Sequence, residues 1–280
     1  MMKIACFVGV LAACHPQAEY PEGPRDPDLD TSRAKDPINK RDLPVLHTIV
    51  ESTLKELVAA LPADQRQAFK DVRLEISDRA GDVNAFAMCD GEQPVVGISD
   101  GLITIAARLA SSKALDEIMA TDETRDLMRK VTTPEGPPRK TRYDLDRDKL
   151  GRQHMWFVEQ IAFALGHELA HHYLGHLGCA SREVGGPDIL GQLLPIFDQA
   201  KELEADAGAV RNMLAVRKDK HGYEWSENGA ILVLQMIKAQ RELSAREIIF
   251  AFEQTHPLPE VRIPVVITTA EVWLATGGRL

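Results

Sequence analysis

The chain has 280 residues, 44% of them apolar, and a formal net charge of -9. That apolar content is enough for one sizeable core, and no internal repeat, coiled-coil heptad or second long apolar segment divides it. The acidic balance argues against nucleic acid as a partner, which calls for Lys and Arg gathered on a basic face.

Met1-Met2-Lys3 leads into an apolar stretch from Ile4 to Ala13. About ten apolar residues cannot span a bilayer as a stable helix, which takes about twenty, so the stretch reads as a cleaved secretory signal. Its end, Leu11-Ala12-Ala13-Cys14, resembles a bacterial lipobox, which implies removal of residues 1–13 and a lipid on Cys14. An ordinary secretory signal with an incidental cysteine is the alternative. His15 stands where an aspartate would imply inner-membrane retention, so the same resemblance implies an outer-membrane lipoprotein facing the periplasm. Pro16 to Lys40 is rich in Pro, Asp and Arg, which suits a flexible tether over 14–42 and leaves 43–280 as one folded domain. Cys6 leaves with the signal and Cys14 takes lipid. Cys89 and Cys179 then remain as a candidate disulfide in an oxidising compartment, with two separate buried thiols as the alternative.

Within the domain, Leu46, Ile49, Val50, Leu54, Leu57, Val58 and Leu61 recur at helical spacing and predict an amphipathic helix ending at Pro62. Val72 to Ile76, Val83 to Met88 and Val95 to Ile98 are short and alternating or apolar, and read as strands. The stretch around Val96 to Ser99 is the candidate edge strand for binding an extended substrate by strand addition. Helices are predicted from Leu102 and from about Asp122. Residues 111–150 are highly charged and include Thr133-Pro134-Glu135-Gly136-Pro137-Pro138-Arg139-Lys140, a loop by composition.

The next helix carries the chemistry. Phe157, Val158, Ile161, Ala162, Ala164, Leu165 and Leu169 bury a segment that spells His167-Glu168-Leu169-Ala170-His171. Two histidines four apart share one helical face and can hold one Zn²⁺, and the glutamate between them can take a proton from metal-bound water. Gly166 is a poor helix former, so a close approach by another backbone or a ligand explains it better than propensity. His172 and His176 lie about 100° round the helix and read as outer or surface histidines. About thirty residues on, Glu202 and Asp206 share a face. If Glu202 is the third ligand, Asp206 can accept the free N–H of a ligating histidine, while Glu204 points elsewhere. Ala205, Ala207, Gly208 and Ala209 are small enough to let this helix pack close. An ordinary acidic amphipathic helix is the competing reading. Further helices are predicted from Ser226, from Ser244 and after Pro259, giving an α+β, mostly helical domain with a small sheet.

In order and spacing the chain resembles the gluzincin metallopeptidases that include HtpX and the CaaX prenyl proteases, with their periplasmic lipoprotein relatives. Asn84-Ala85-Phe86-Ala87 with the stretch Val95 to Leu102, Leu165 to His171, Glu202 to Asp206, and Thr255-His256-Pro257 through Arg262-Ile263 carry the resemblance. It implies a zincin-type fold with one zinc held by His167, His171 and Glu202, Glu168 as general base and acid, and Asp206 behind the ligands. His256 is a candidate fourth ligand, or a loop histidine before a proline; with Tyr223 and Arg262 it is also a candidate for steadying the oxyanion. Arg262 reads more readily as the partner of a buried carboxylate. In many family members the helix after the sheet passes quickly into the histidine helix, whereas here the charged insert 111–150 intervenes. The implied activity is a zinc endopeptidase acting on misfolded or misassembled envelope proteins. A latent, zinc-binding lipoprotein with a chaperone-like role is the alternative.

Overall fold

The computed structural model describes residues 42–79, 82–130, 147–177, 179, 199–217, 222–243 and 258–278. The signal and tether with Cys14, the loop 133–140, the helix expected from Ser244 and His256 lie outside the described residues. Within them the protein is mostly helical with one small sheet.

The first apolar run forms α1 (Leu43–Ala60), with Pro44 in its first turn, where a missing N–H goes unnoticed. Leu46, Val50, Leu54 and Leu57 are buried along one face. Pro62 stops it and opens the short α2 (Ala63–Phe69). Three strands follow: β1 (Arg73–Ser77), β2 (Ala85–Asp90) and β3 (Gln93–Ser99). Their order is β1-β3-β2, with β3 parallel to β1 and antiparallel to β2. The hairpin from β2 to β3 turns at Gly91, whose φ of 62° costs a glycine little.

The expectation that Val96 to Ser99 is an edge strand is corrected here. β3 is the middle strand, paired on both sides, and among the described residues β1 and β2 are the edges. The unbroken burial from Val95 to Ser99 explains the apolar run that the sequence carries there: a strand hidden on both faces shows no alternation. Gly97 is required by its neighbour, because the Phe86 ring from β2 occupies the space where a Cβ would stand. Ser99 closes the sheet onto the next helix, its hydroxyl accepting from the amides of Asn84 at 2.9 Å and Leu102 at 3.2 Å.

That helix, α3 (Asp100–Met119), continues well into the stretch read as a charged insert, and α4 (Glu123–Lys130) follows it. The Asp116 carboxylate accepts from the amides of Glu123 at 2.7 Å and Thr124 at 2.9 Å, which supplies the cap for α4. The long α5 (Arg147–Tyr173) is the axis of the domain. Phe157, Ile161, Leu165 and Leu169 are fully buried along it, and α1, α3, the sheet, α6 (Gln199–Val216) and α7 (Asn228–Leu243) all pack on it. Glu159 ties α5 to the start of α7 by accepting from the amide and the hydroxyl of Ser226, each at 2.8 Å. The last helix, α8 (Pro259–Ala275), lies against α6 and α7. No helix among the described residues is long and apolar enough to cross a membrane.

Candidate metal centre

The site is built where α5 and α6 cross, and glycine and alanine make the crossing close. A methyl group on Gly166 would sit 3.4 Å from the Ala209 Cβ, and one on Gly208 would sit 3.1 Å from the Ala170 Cβ. The tight position is Gly208; a methyl on Gly166 would make only ordinary van der Waals contact with Ala209, so the approach of α6 does not by itself require the glycine there. Glu202 and Asp206, one turn apart on α6, are both buried against α5.

Three side chains converge there. His167 Nε2 lies 3.2 Å from His171 Nε2 and 3.2 Å from Glu202 Oε2, while His171 Nε2 lies 3.3 Å from Glu202 Oε1. One donor atom from each of the three falls within 4.8 Å of the others. Donors placed tetrahedrally at about 2.0–2.1 Å from one ion stand about 3.3 Å apart, so the spacing fits a zinc-sized cation. The donor chemistry fits as well: two imidazole nitrogens and a carboxylate face one point, and repel one another unless something positive sits between them.

The electrostatics agree with that reading. Burial pulls the His167 imidazolium down, but the Asp206 and Glu202 carboxylates outweigh it and push its pKa up to about 9. His171 goes the other way, to about 2, through burial and the neighbouring His167 and His176. The centre thus favours one positive charge, and a metal ion bound there would take the place of a His167 proton. Glu168, 3% exposed, has its carboxyl raised to about 7, first by burial and then by Glu202 and Asp206, against the pull of His167 and Arg262.

Behind the three, Asp206 Oδ1 accepts from His167 Nδ1 at 2.9 Å. Arg262 from α8 donates to the same carboxylate through Nε at 2.8 Å and Nη2 at 2.6 Å. Burial alone would raise the Asp206 carboxyl; Arg262 and His167 instead hold it down at about 2. Arg262 is therefore the partner of a buried carboxylate, and its place as an oxyanion stabiliser is withdrawn, since its guanidinium is 1% exposed and turned onto Asp206. Tyr223 is corrected too. Its hydroxyl sits where a Cβ on Gly151 would nearly touch it, and its ring lies 5.5 Å from that of His154. Gly151 is about 24 Å of helix before His167, too far for Tyr223 to reach the centre.

His172 is buried and donates through Nε2 to the Val95 carbonyl at 3.0 Å, which fastens α5 to β3. For His176 the sequence predicts an outer or surface position, and for Glu204 a direction away from the centre. In the structure His176 Nδ1 lies 3.1 Å from His171 Nδ1, and His176 Nε2 lies 3.3 Å from Glu204 Oε2. The signal that could have found them is Gly175, a helix-ending glycine with φ of 74° directly before His176. Cys89 and Cys179 form a disulfide with Cα atoms 5.4 Å apart, joining the end of β2 to the turn beyond α5.

No curated protein and no solved structure matches the chain. Residues 45–269 match the model of peptidase family M48. That span takes in the sheet, the crossing helices with their His/His/Glu group, and most of α8 with Arg262. Over that length the likeness is to a whole domain rather than to a short motif, and the chain belongs to peptidase family M48, a family of metallopeptidases.

Proposed function

We propose that the protein is a zinc endopeptidase of the bacterial envelope, held by a lipid on Cys14 to the periplasmic face of the outer membrane and acting on misfolded or misassembled envelope proteins. The observation that carries the catalytic part is the convergence of His167 Nε2, His171 Nε2 and the Glu202 carboxylate, the two nitrogens 3.2 Å apart and each 3.2–3.3 Å from a different carboxylate oxygen, with Glu168 beside them on the same helix. Zinc bound there supplies a Lewis acid that acidifies water and polarises a peptide carbonyl. Glu168, buried beside the three candidate ligands, would take up the proton released as the carbonyl is attacked and return it to the departing amine. Asp206 keeps the His167 proton on Nδ1, so that Nε2 presents a lone pair, and Arg262 keeps Asp206 ionised.

An extended segment of substrate would add to an edge of the sheet rather than to β3, which is enclosed. β2 is the better placed edge, since the Cys89–Cys179 bridge anchors it to the end of the active-site helix. The disulfide also supports an oxidising compartment, as does the signal-like N-terminus with its lipobox-like Leu11 to Cys14.

Two experiments test the reading. Casein cleavage by the purified protein should stop on chelation and return with zinc; cleavage indifferent to chelator would sink the metal mechanism. Replacing Cys14→Ser should move the full chain from the membrane fraction to the soluble periplasm, and an unchanged membrane fraction would remove the anchor.

A further inference from the structure

We infer that His176 and Glu204 form an outer support that holds His171 in the tautomer and orientation metal binding requires; the inference rests on the metal centre proposed above. Its origin is local. Helix α5 ends at Tyr173, Gly175 turns the chain with φ of 74°, the amide of His176 returns to the His171 carbonyl at 2.9 Å, and that of Gly175 returns to His172 at 3.0 Å. In a helix end of this kind, the residue after the glycine folds back over the residue three before the cap, usually as an apolar contact. Here both positions are histidine, and the contact becomes a hydrogen bond between their Nδ1 atoms at 3.1 Å, with the rings 5.1 Å apart at 67°. Although it sits in a turn, the His176 side chain is only 6% exposed.

The proton arrangement follows from the outside inward. A carboxylate can only accept, so Glu204 Oε2 takes the hydrogen on His176 Nε2 at 3.3 Å. His176 Nδ1 then carries a lone pair and accepts from His171 Nδ1–H. His171 Nε2 is left with its lone pair facing His167 and Glu202. His167 is fixed by the same logic one step shorter, through Asp206. The two histidines are thus each held from behind by an acid on α6: Asp206 directly, and Glu204 through His176. Glu204 is 66% exposed and contributes less than His176, because water competes for its carboxylate. His176 is a positioning residue, since it reaches the centre only through His171.

The test compares the full chain with His176→Ala, His176→Asn and His171→Ala, measuring zinc affinity by chelator competition and the Tm of each metal-free protein. His176→Ala should bind zinc about 10-fold or more weakly. His176→Asn places its Oδ1 near the lost Nδ1 and should recover affinity to within about threefold of the parent. The metal-free Tm should be the same in both. Affinity of His176→Ala within about twofold of the parent, with His171→Ala unable to bind, would overturn the support while leaving the centre standing. Equal loss in both His176 variants together with a lowered metal-free Tm would also overturn it, because the turn would then simply have come undone. Zinc bound equally by parent and His171→Ala, or by neither, would overturn the centre and the support together.

Discussion

Arg262 holds the Asp206 carboxylate through two hydrogen bonds, Nε to Oδ2 at 2.8 Å and Nη2 to Oδ1 at 2.6 Å, with both side chains withdrawn from solvent. The pair joins α8 to α6 directly behind His167. Removing the cation would leave the buried Asp206 carboxylate with only the His167 imidazolium, which it shares with Glu202, and breaking such a buried pair costs about 3–5 kcal/mol. Arg262→Leu should therefore lower the urea-unfolding free energy of the metal-free protein by that amount. Arg262→Lys should not restore it, because an ammonium cannot reproduce the two-pronged contact. Full stability in Arg262→Leu would show that the pair is not essential to the core.

The disulfide closes a loop with a sequence separation of 90. A loop of that length constrains the unfolded chain by roughly 4.6 kcal/mol. Cys89→Ser with Cys179→Ser should lose stability on that scale and loosen the turn bearing His176. Equal denaturation midpoints with and without reductant would contradict it.

Gly208 is needed where α6 meets α5, since an added Cβ would crowd Ala170 and the Tyr173 hydroxyl. Gly208→Val should cost about 1–3 kcal/mol through overpacking. It should weaken zinc binding as well, because Glu202 and Asp206 ride on the displaced helix. Unchanged affinity would mean that the crossing has slack which the packing does not suggest.

Much of this was legible in the sequence. His167, Glu168 and His171 are spaced so that one helical face collects them, and Glu202 with Asp206 repeats that spacing on a second helix. The small residues from Ala205 to Ala209, Gly208 above all, announced the close crossing that joins the two. Tyr223 was misplaced because proximity in chain order to the active-site helices says nothing about which end of a 27-residue helix a loop meets. The middle place of β3 is not legible in its apolar run, because strand order is decided by long-range pairing. The outer position of His176 was open to the sequence, but its contact with His171 and the part of Glu204 were not, because helical spacing stops being a guide once Gly175 ends the helix and turns the next residue back.

Glu159 should make stability depend on pH. Burial first, helped by Glu227 and opposed by the Ser226 hydrogen bonds, lifts its carboxyl from 4.5 to about 8. The folded state then binds a proton that the unfolded chain has already released, so this contribution is complete below the unfolded value and is lost as pH rises through about 8. The loss should be on the order of 1 kcal/mol per pH unit in that window. Glu159→Gln should make the fall shallower, leaving the part that Glu168 and His167 contribute, read as urea midpoints at about pH 6 and about pH 9. The same fall in both proteins would assign the effect to another group.

The central claim is that His167, His171 and Glu202 hold zinc and that Glu168 moves the proton. The most direct measurement is zinc content together with casein cleavage for the parent and Glu168→Gln. The account predicts one zinc per chain in both, with cleavage reduced by about 100-fold or more only in the glutamine variant. Equal cleavage by the two proteins, or a parent that cleaves casein with no zinc bound, would contradict it.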